Sequence, residues 1–345
     1  MTVAPDHEKP DFAADDNLGD AQPWRRWLLA FLATVVVLGI TVYAAVLLID
    51  PFATGRFTPI KSIELASNNP RLLKAGLVRD PRFDAAIFGS STGYPLDPKV
   101  IGDASGWRVA QFAIPASLPP SQLRVARAYQ RFHRDQPSLQ IYVLDHFWCR
   151  PGDPASGGWG AFPDWVYESS DADYLSRILF PQGIKTAAQR VGLWLGVVQP
   201  TARDDGFLFK DMEPIPRAQL LSRPRPRDDD APGAGFPALD LLAQHIAALP
   251  ANVRVALVFA PPHISMIPIA ESPADVRLQA CKARARQISL ARTSSAWLDL
   301  MTENEITRDE KNYFDEVHYT PAASEKFAAA IVAALKQKGF ERPRP

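Results

Sequence analysis

Asp84-Ala85-Ala86-Ile87-Phe88-Gly89-Ser90-Ser91-Thr92-Gly93 reads as a short apolar strand that runs directly into a glycine-bounded turn. Glycines on both sides permit a tight reversal. A serine at the tip stands exposed among backbone N–H groups, and such donors can stabilise a tetrahedral oxyanion. Working outward, α and β signals alternate. Trp107–Ile114 is expected as a second strand, Ser121–Arg134 as a helix and Leu139–His146 as a third strand. After a break, Phe236–Leu249 reads as a helix, Val253–Phe259 as a strand, Pro273–Leu290 as a helix and Ala296–Leu300 as a strand. This alternation implies an α/β protein with a parallel sheet covered on both faces. In such sheets functional groups gather at the carboxyl ends of the strands. The Gly89–Gly93 turn and Pro261-Pro262-His263 both follow strands in this way.

A second stretch supplies the partner chemistry. Asn312-Tyr313-Phe314-Asp315-Glu316-Val317-His318-Tyr319-Thr320-Pro321 holds an aspartate and a histidine three residues apart. Thr320 suits an N-cap and Pro321 a first helical position, with an amphipathic helix from Ala322 to Lys336. Asp315 and His318 therefore sit on a loop entering a helix. A histidine held by a carboxylate is the general-base half of a nucleophilic triad. Ser91 is the candidate nucleophile.

The N-terminal region has a different character. Residues 1–23 carry Asp6, Glu8, Asp11, Asp15, Asp16 and Asp20 against one lysine and read as a disordered, cytoplasmic tail. Residues 24–50 read as a transmembrane anchor, opened by Trp24-Arg25-Arg26-Trp27 and uncharged from Trp27 to Ile49. At about 1.5 Å per residue, residues 27–49 are long enough to cross a lipid bilayer. The tryptophans suit the interfacial belt and the arginines its cytoplasmic edge. A cleaved signal peptide is the rival reading. The run is longer than an h-region and lacks a small-residue cleavage site before Asp50-Pro51. The anchor reading places the N-terminus in the cytoplasm and everything after Asp50 in the periplasm or its extracytoplasmic equivalent. There Cys149 and Cys281 could pair, if their Cα atoms come close enough.

Residues 51–80 read as a juxtamembrane linker and 81–340 as the α/β domain, interrupted at about 147–240. The interruption is rich in Gly, Pro and Trp, with helical segments expected at 171–199. A stretch this long suggests an insertion or lid over the sheet, which would govern water access to the site. Its run Arg223-Pro224-Arg225-Pro226-Arg227-Asp228-Asp229-Asp230 reads as an exposed loop. Trp148, Trp159 and Trp165 could stack on sugar rings, with core or lid packing the stronger reading, and His133 reads as a solvated helix residue. His263, Asp145 and His146 follow strands and could line the cleft.

Composition narrows the function classes. The chain has 345 residues, 47% of them hydrophobic, and balances 38 basic against 38 acidic residues. That gives no strong field for nucleic acid. The two cysteines lack metal-site spacing, and no cofactor or metal is expected.

A serine turn after the first strand and Asp-x-x-His before the last helix together resemble the SGNH, or GDSL, hydrolase superfamily. The resemblance covers about residues 82–338, less the insertion, and implies a three-layer α/β/α, flavodoxin-like fold. It implies Ser91 as nucleophile, His318 as base and Asp315 as orienting acid. Where the family has Gly-Asp-Ser, this chain has Gly89-Ser90-Ser91. The second block usually offers a glycine to the oxyanion hole, and Gln111–Ser117 has none. The third usually offers an asparagine, and here Leu144-Asp145-His146 stands. The Ser91 N–H remains, with Ser117 as a further donor. With an anchor, these blocks resemble the branch that modifies bacterial cell surfaces by polysaccharide O-acetylation or teichoic acid D-alanylation. The resemblance implies an acyltransferase or esterase acting on an envelope glycan beside a multi-pass membrane acyltransferase. The departures motivate an alternative, a non-catalytic glycan-binding or accessory protein of such a complex.

Overall fold

The structure is a computed structural model that describes residues 22–58, 69–136, 138–155, 161–168, 170–200, 202–208 and 235–342. The acidic tail up to residue 21, the Arg223–Asp230 run and Trp159 lie outside the described residues.

Contacts divide the chain into two units, Met1–Ala45 and Val46–Pro345. The first holds most of helix α1 (Gln22–Ile49), which is long and apolar enough to cross a membrane, with mean hydropathy 2.6. Its apolar side chains are exposed, Leu29 and Val37 at 66% and 60%. Such a surface is unsuited to water.

The second unit is built on five parallel strands: β1 (Ala85–Phe88), β2 (Val109–Gln111), β3 (Ser138–Leu144), β4 (Val253–Phe259) and β5 (Ser295–Asp299). Their order is β2-β1-β3-β4-β5. All seven β3 residues pair with β4, from Ser138↔Val253 to Leu144↔Phe259. β1 and β3 are buried at every position, which is why they read as apolar runs rather than alternating ones. Every strand expected from the sequence forms, though the second spans only Val109–Gln111 of Trp107–Ile114.

The two faces of the sheet carry different packing. Ile87, Ile141, Val143 and Val258 share one core with Leu96, with Ile101 of α3 (Pro98–Ser105) and with Phe327 and Ile331 of the last helix (Pro321–Gln337). Alternate residues Phe88 and Tyr142 face away from that core. Phe88 meets Tyr129 of α4 (Pro119–Phe132) at 5.9 Å between ring centroids. Tyr142 Oη lies 2.6 Å from His245 Nε2 on the helix Pro237–Ala247. His133 corrects the sequence reading. It is buried at 2% exposure, stacked 4.1 Å from Tyr129, with Nε2 3.0 Å from the Asp80 carbonyl. Being just past the end of α4, it fills the gap between that helix and the chain entering β1.

The stretch expected to link anchor and domain contains α2 (Pro70–Leu77), capped by Asn69 and buried from Leu72 to Leu77. Asp50, at φ 49°, accepts from Thr54 Oγ1 at 2.9 Å and the Gly55 N–H at 2.6 Å. This turn places Phe52 between Trp165 and Phe180, 5.8 and 6.2 Å away between centroids. Trp165 and Phe180 belong to the expected insertion, which forms α5 (Asp164–Tyr167), α6 (Asp171–Arg177) and α7 (Pro181–Trp194). Its apolar side chains draw these helices onto Phe52 and α2. Residues 202–208 extend the β2 edge, where the Gln111 N–H donates to the Asp205 carbonyl at 2.8 Å. Trp148 is wholly buried. Cys149 and Cys281 form a disulfide with Cα atoms 5.5 Å apart. It ties the turn after β3 to the helix Pro273–Leu290.

Candidate functional site

The site lies at the carboxyl ends of β1, β3 and β4. β1 and β3 are neighbours in the sheet, but the chain leaves β1 toward β2 on one side and leaves β3 toward β4 on the other. A crevice opens between their connections at such a reversal.

Gly89 and Gly93 are required by packing. A Cβ on Gly89 would stand 3.1 Å from Val143 Cβ, and one on Gly93 3.2 Å from the same atom. The turn can lie against β3 because neither has a side chain. Between them the two serines divide. Ser90 is buried, and its Oγ donates to the Asp145 carboxylate and lies 3.2 Å from Thr92 Oγ1. Ser91 is half-buried. The turn closes with the Gly93 and Tyr94 N–H groups donating to the Ser90 carbonyl at 3.1 and 3.2 Å.

Gln111, at the end of β2, fixes this turn from the side. Its Nε2 donates to the carbonyls of Gly93 and Leu96 at 3.0 and 2.8 Å, and its Oε1 accepts from the Ala113 N–H at 2.8 Å. The sequence assigns it no role, although a glutamine inside an expected apolar strand was the available signal. The next loop then meets the turn. The Ile114 N–H and Ser117 Oγ both donate to the Gly89 carbonyl, at 3.0 and 3.3 Å. Ala116 between them has φ 55°, a conformation that favours glycine. The Ser117 hydroxyl is thus directed at the loop base.

The Asp315/His318 loop is braced by its own carboxylate. Asp315 Oδ1 accepts from the Val317 and His318 N–H groups at 2.8 and 2.7 Å, and Oδ2 meets His318 Nδ1 at 2.5 Å. Burial works to raise the Asp315 carboxyl, but the His318 hydrogen bond and these two amides outweigh it, and the group is held below its ordinary range. Tyr313 and Tyr319 pair across the base of the loop. Thr320 caps the last helix and Pro321 begins it, as the sequence suggests.

Three contacts dock this loop on the sheet edge. Tyr313 Oη donates to the Pro261 and Pro262 carbonyls, each at 3.0 Å. The His263 N–H donates to the Glu316 carbonyl at 2.9 Å. Tyr319 Oη donates to the Thr92 carbonyl, joining the residue after His318 to the residue after Ser91. Ser324 Oγ adds a bond to the Pro95 carbonyl at 2.6 Å. The serine turn and the histidine loop, 227 residues apart at that tyrosine contact, are thereby brought together. His263 itself is fully buried, with Nδ1 2.8 Å from Ser265 Oγ and its ring edge-on to Tyr313. It supports the loop from beneath.

Thr92, Asp145, His146, Ala260, Pro262, Met266, Met301 and Val317 line a narrow cleft beside the two loops. Its walls are mainly apolar. Thr92, Asp145 and His146 are the exceptions. Burial pushes the Asp145 carboxyl up, against the neighbouring His146 and the Ser90 hydrogen bond, and pushes His146 down. Both shifts disfavour charge in the cleft. Among the described residues no cluster of three or more His, Cys, Asp or Glu side chains is arranged to hold a metal.

No protein-family model matches the chain, and no curated protein matches it. What the site can do follows from its geometry. A carboxylate orients an imidazole, and a tyrosine bond sets that imidazole's loop against a serine turn at a sheet's carboxyl edge.

Proposed function

We propose that this chain is a membrane-anchored serine acyl-transfer enzyme with the three-layer fold of SGNH hydrolases, acting outside the cytoplasmic membrane on an acylated envelope glycan. The observation that carries the reading is the Asp315–His318 pair, 2.5 Å apart, on a loop bonded through Tyr319 to the Ser91 turn. The strand order β2-β1-β3-β4-β5 is one common to flavodoxin-like sheets and supports the fold. The disulfide supports an oxidising compartment, and the apolar α1 supports an anchor with the C-terminal unit in the periplasm.

Because Nδ1 of His318 faces Asp315, Nε2 is the basic nitrogen. It takes the proton of the Ser91 hydroxyl as Oγ attacks the ester carbonyl. The tetrahedral oxyanion forms against the Ser91 N–H. On collapse the imidazolium returns the proton to the leaving alkoxide, and the acyl group stays on Ser91. Water completes an esterase cycle, and a sugar hydroxyl completes a transferase cycle. Asp315 holds the tautomer and offsets the imidazolium charge. The narrow, mostly apolar cleft lined by Thr92 and Val317, the chain neighbours of Ser91 and His318, suits a short acyl group. A multi-pass membrane acyltransferase is the partner such chemistry calls for, as source of the activated acyl group.

One observation favours a second reading, a non-catalytic glycan-binding or accessory protein. Ser117 donates to the Gly89 carbonyl, and Asp145 accepts from Ser90 and the Phe147 N–H. Neither offers a free donor to an oxyanion. Hydrolysis of an aryl acetate by the wild type and by Ser91→Ala separates the two. The enzyme reading expects turnover that Ser91→Ala abolishes. Equal inertness of both transfers the case to the accessory reading.

A further inference from the structure

Helix α7 presents an apolar, uncharged strip to solvent, and its place in the chain indicates what covers it. Leu179, just before the helix, and Ile184, in its first turn, are 40% and 46% exposed. Leu195 and Val197, at its end, are 72% and 77% exposed. At about 100° per residue, Ile184, Ala188, Val191 and Leu195 fall within about 60° of arc, on one side of the helix. None is polar or charged. From Tyr174 to Ala202 the sequence has no Asp or Glu, and its basic residues are Arg177, Lys185 and Arg190.

The far end of the strip is a formed knob. Gly196, at φ 72°, reverses the chain, and the Val197 and Val198 N–H groups donate back to the Gly192 carbonyl at 2.9 and 3.2 Å. Gly192 makes the fold-back possible, since a Cβ there would lie 2.6 Å from Val198 Cγ2. The Trp194 ring lies over the Arg190 guanidinium at 5.6 Å, with Arg190 itself 1% exposed. Every residue from Trp194 to Pro200 is exposed. The backbone bonds of Leu195 to Val198 hold this apolar surface outward.

The near end of the strip packs on the chain that follows α1. Phe180, which precedes Pro181 of α7, meets Phe52 at 6.2 Å between centroids, and Phe52 stands three residues after the last residue of α1, Ile49. The turn between them is fixed by Asp50, so the strip starts beside the point where the apolar helix ends.

We propose that α7 lies on the outer surface of the bilayer that α1 crosses, with Ile184, Leu195 and Val197 in the boundary between headgroups and acyl chains. An amphipathic helix without acidic residues, tipped by Trp, Leu and Val, has the chemistry of an interfacial element. The Asp50 turn fixes one end of the contact and the knob fixes the other. This contact does not depend on the chemistry assigned to Ser91.

The test uses the full chain reconstituted in vesicles of phosphatidylethanolamine and phosphatidylglycerol. The native cysteines are paired, so a single new thiol can carry an NBD fluorophore. Leu195→Cys and Val197→Cys are compared with Leu290→Cys, which is 70% exposed on another helix. At 195 and 197 the emission is expected to shift to the blue, to be quenched several-fold more by doxyl-labelled lipid than at 290, and to resist aqueous iodide. Labels at 195 and 197 that behave like the label at 290 overturn the proposal. So does a label that is water-exposed in these vesicles but shielded in native membranes, because the strip would then cover a protein partner.

Discussion

Opening the Cys149–Cys281 disulfide is expected to cost the globular unit several kcal/mol without unfolding it. The bridge closes a loop with a sequence separation of 132 residues. In the chain-entropy description, a loop of that length removes about 17 cal/mol/K from the unfolded ensemble, or about 5 kcal/mol at 25 °C. Measured values run lower, so a loss of about 2 to 5 kcal/mol is expected. With a urea dependence of about 3 kcal/mol/M, the midpoint falls by roughly 0.7 to 1.7 M. Pulse proteolysis in urea of the full chain in nanodiscs, oxidised against reduced, measures the shift. The Cys149→Ser/Cys281→Ser variant should match the reduced chain, which separates loss of the cross-link from loss of side-chain packing. Cys281 is wholly buried and Cys149 9% exposed, so the reduced thiols should stay slow to label in the folded protein. Midpoints for oxidised and reduced chains that agree within about 0.2 M would refute the loop-entropy reasoning. Two titratable thiols in the unreduced chain would refute the pairing itself.

Two further outcomes follow from ionisable groups. Burial depresses Lys74 to about 7, against the attraction of Asp205, and its Nζ donates to the Gly206 carbonyl at 2.6 Å. Between that value and the ordinary 10.5 the unfolded chain holds a proton that the folded chain does not, so stability from this group rises with pH across the window. Below about 7 the burial penalty is present in full. Lys74→Met should remove the rise, with a ceiling of about 5 kcal/mol in the difference between wild type and variant; parallel stability curves from pH 7 to 10 would contradict it. On the proposed chemistry, Asp315→Asn keeps an oxygen to accept from the Val317 and His318 amides but loses the carboxylate that orients His318. Aryl ester turnover should fall by roughly 10³- to 10⁴-fold with the unfolding midpoint nearly unchanged. An equal loss of stability would show instead that the carboxylate serves the loop.

Much of the sheet was legible because its strands are buried on both faces. Val253–Phe259 and Pro273–Leu290 have the bounds expected from the sequence, since an apolar run or a capped helical stretch defines its own ends. Short helices escape the sequence, α2 and α3 among them. α2 and α3 are eight residues each, too short to show a period, and only Asn69-Pro70 and Asp97-Pro98 mark their starts. His133 was misread because a polar residue at a helix end is exposed more often than not, and only the packing of Tyr129 and the Asp80 carbonyl shows otherwise. Trp165 and Phe180 were read as part of a lid; what they cover is Phe52, and no local pattern announces a contact more than 100 residues away.

For the site, local chemistry was visible and long-range contact was not. A serine between glycines, an aspartate three residues before a histidine, a Thr-Pro helix start and an uncharged 23-residue run are each written in consecutive residues. Short-range rules of turn, cap and hydropathy suffice to read them. The tertiary structure alone decided that Ser90 faces Asp145 while Ser91 is left half-buried, and that Ser117 donates to a carbonyl. It alone showed that Gln111, Tyr313 and Tyr319 join the loops and that the two cysteines meet. Each of these depends on a hydrogen bond or covalent bond whose partner is distant in the chain. Such a partner is chosen by how the sheet orders its strands, and strand order follows from packing the whole unit, which no single stretch of sequence contains.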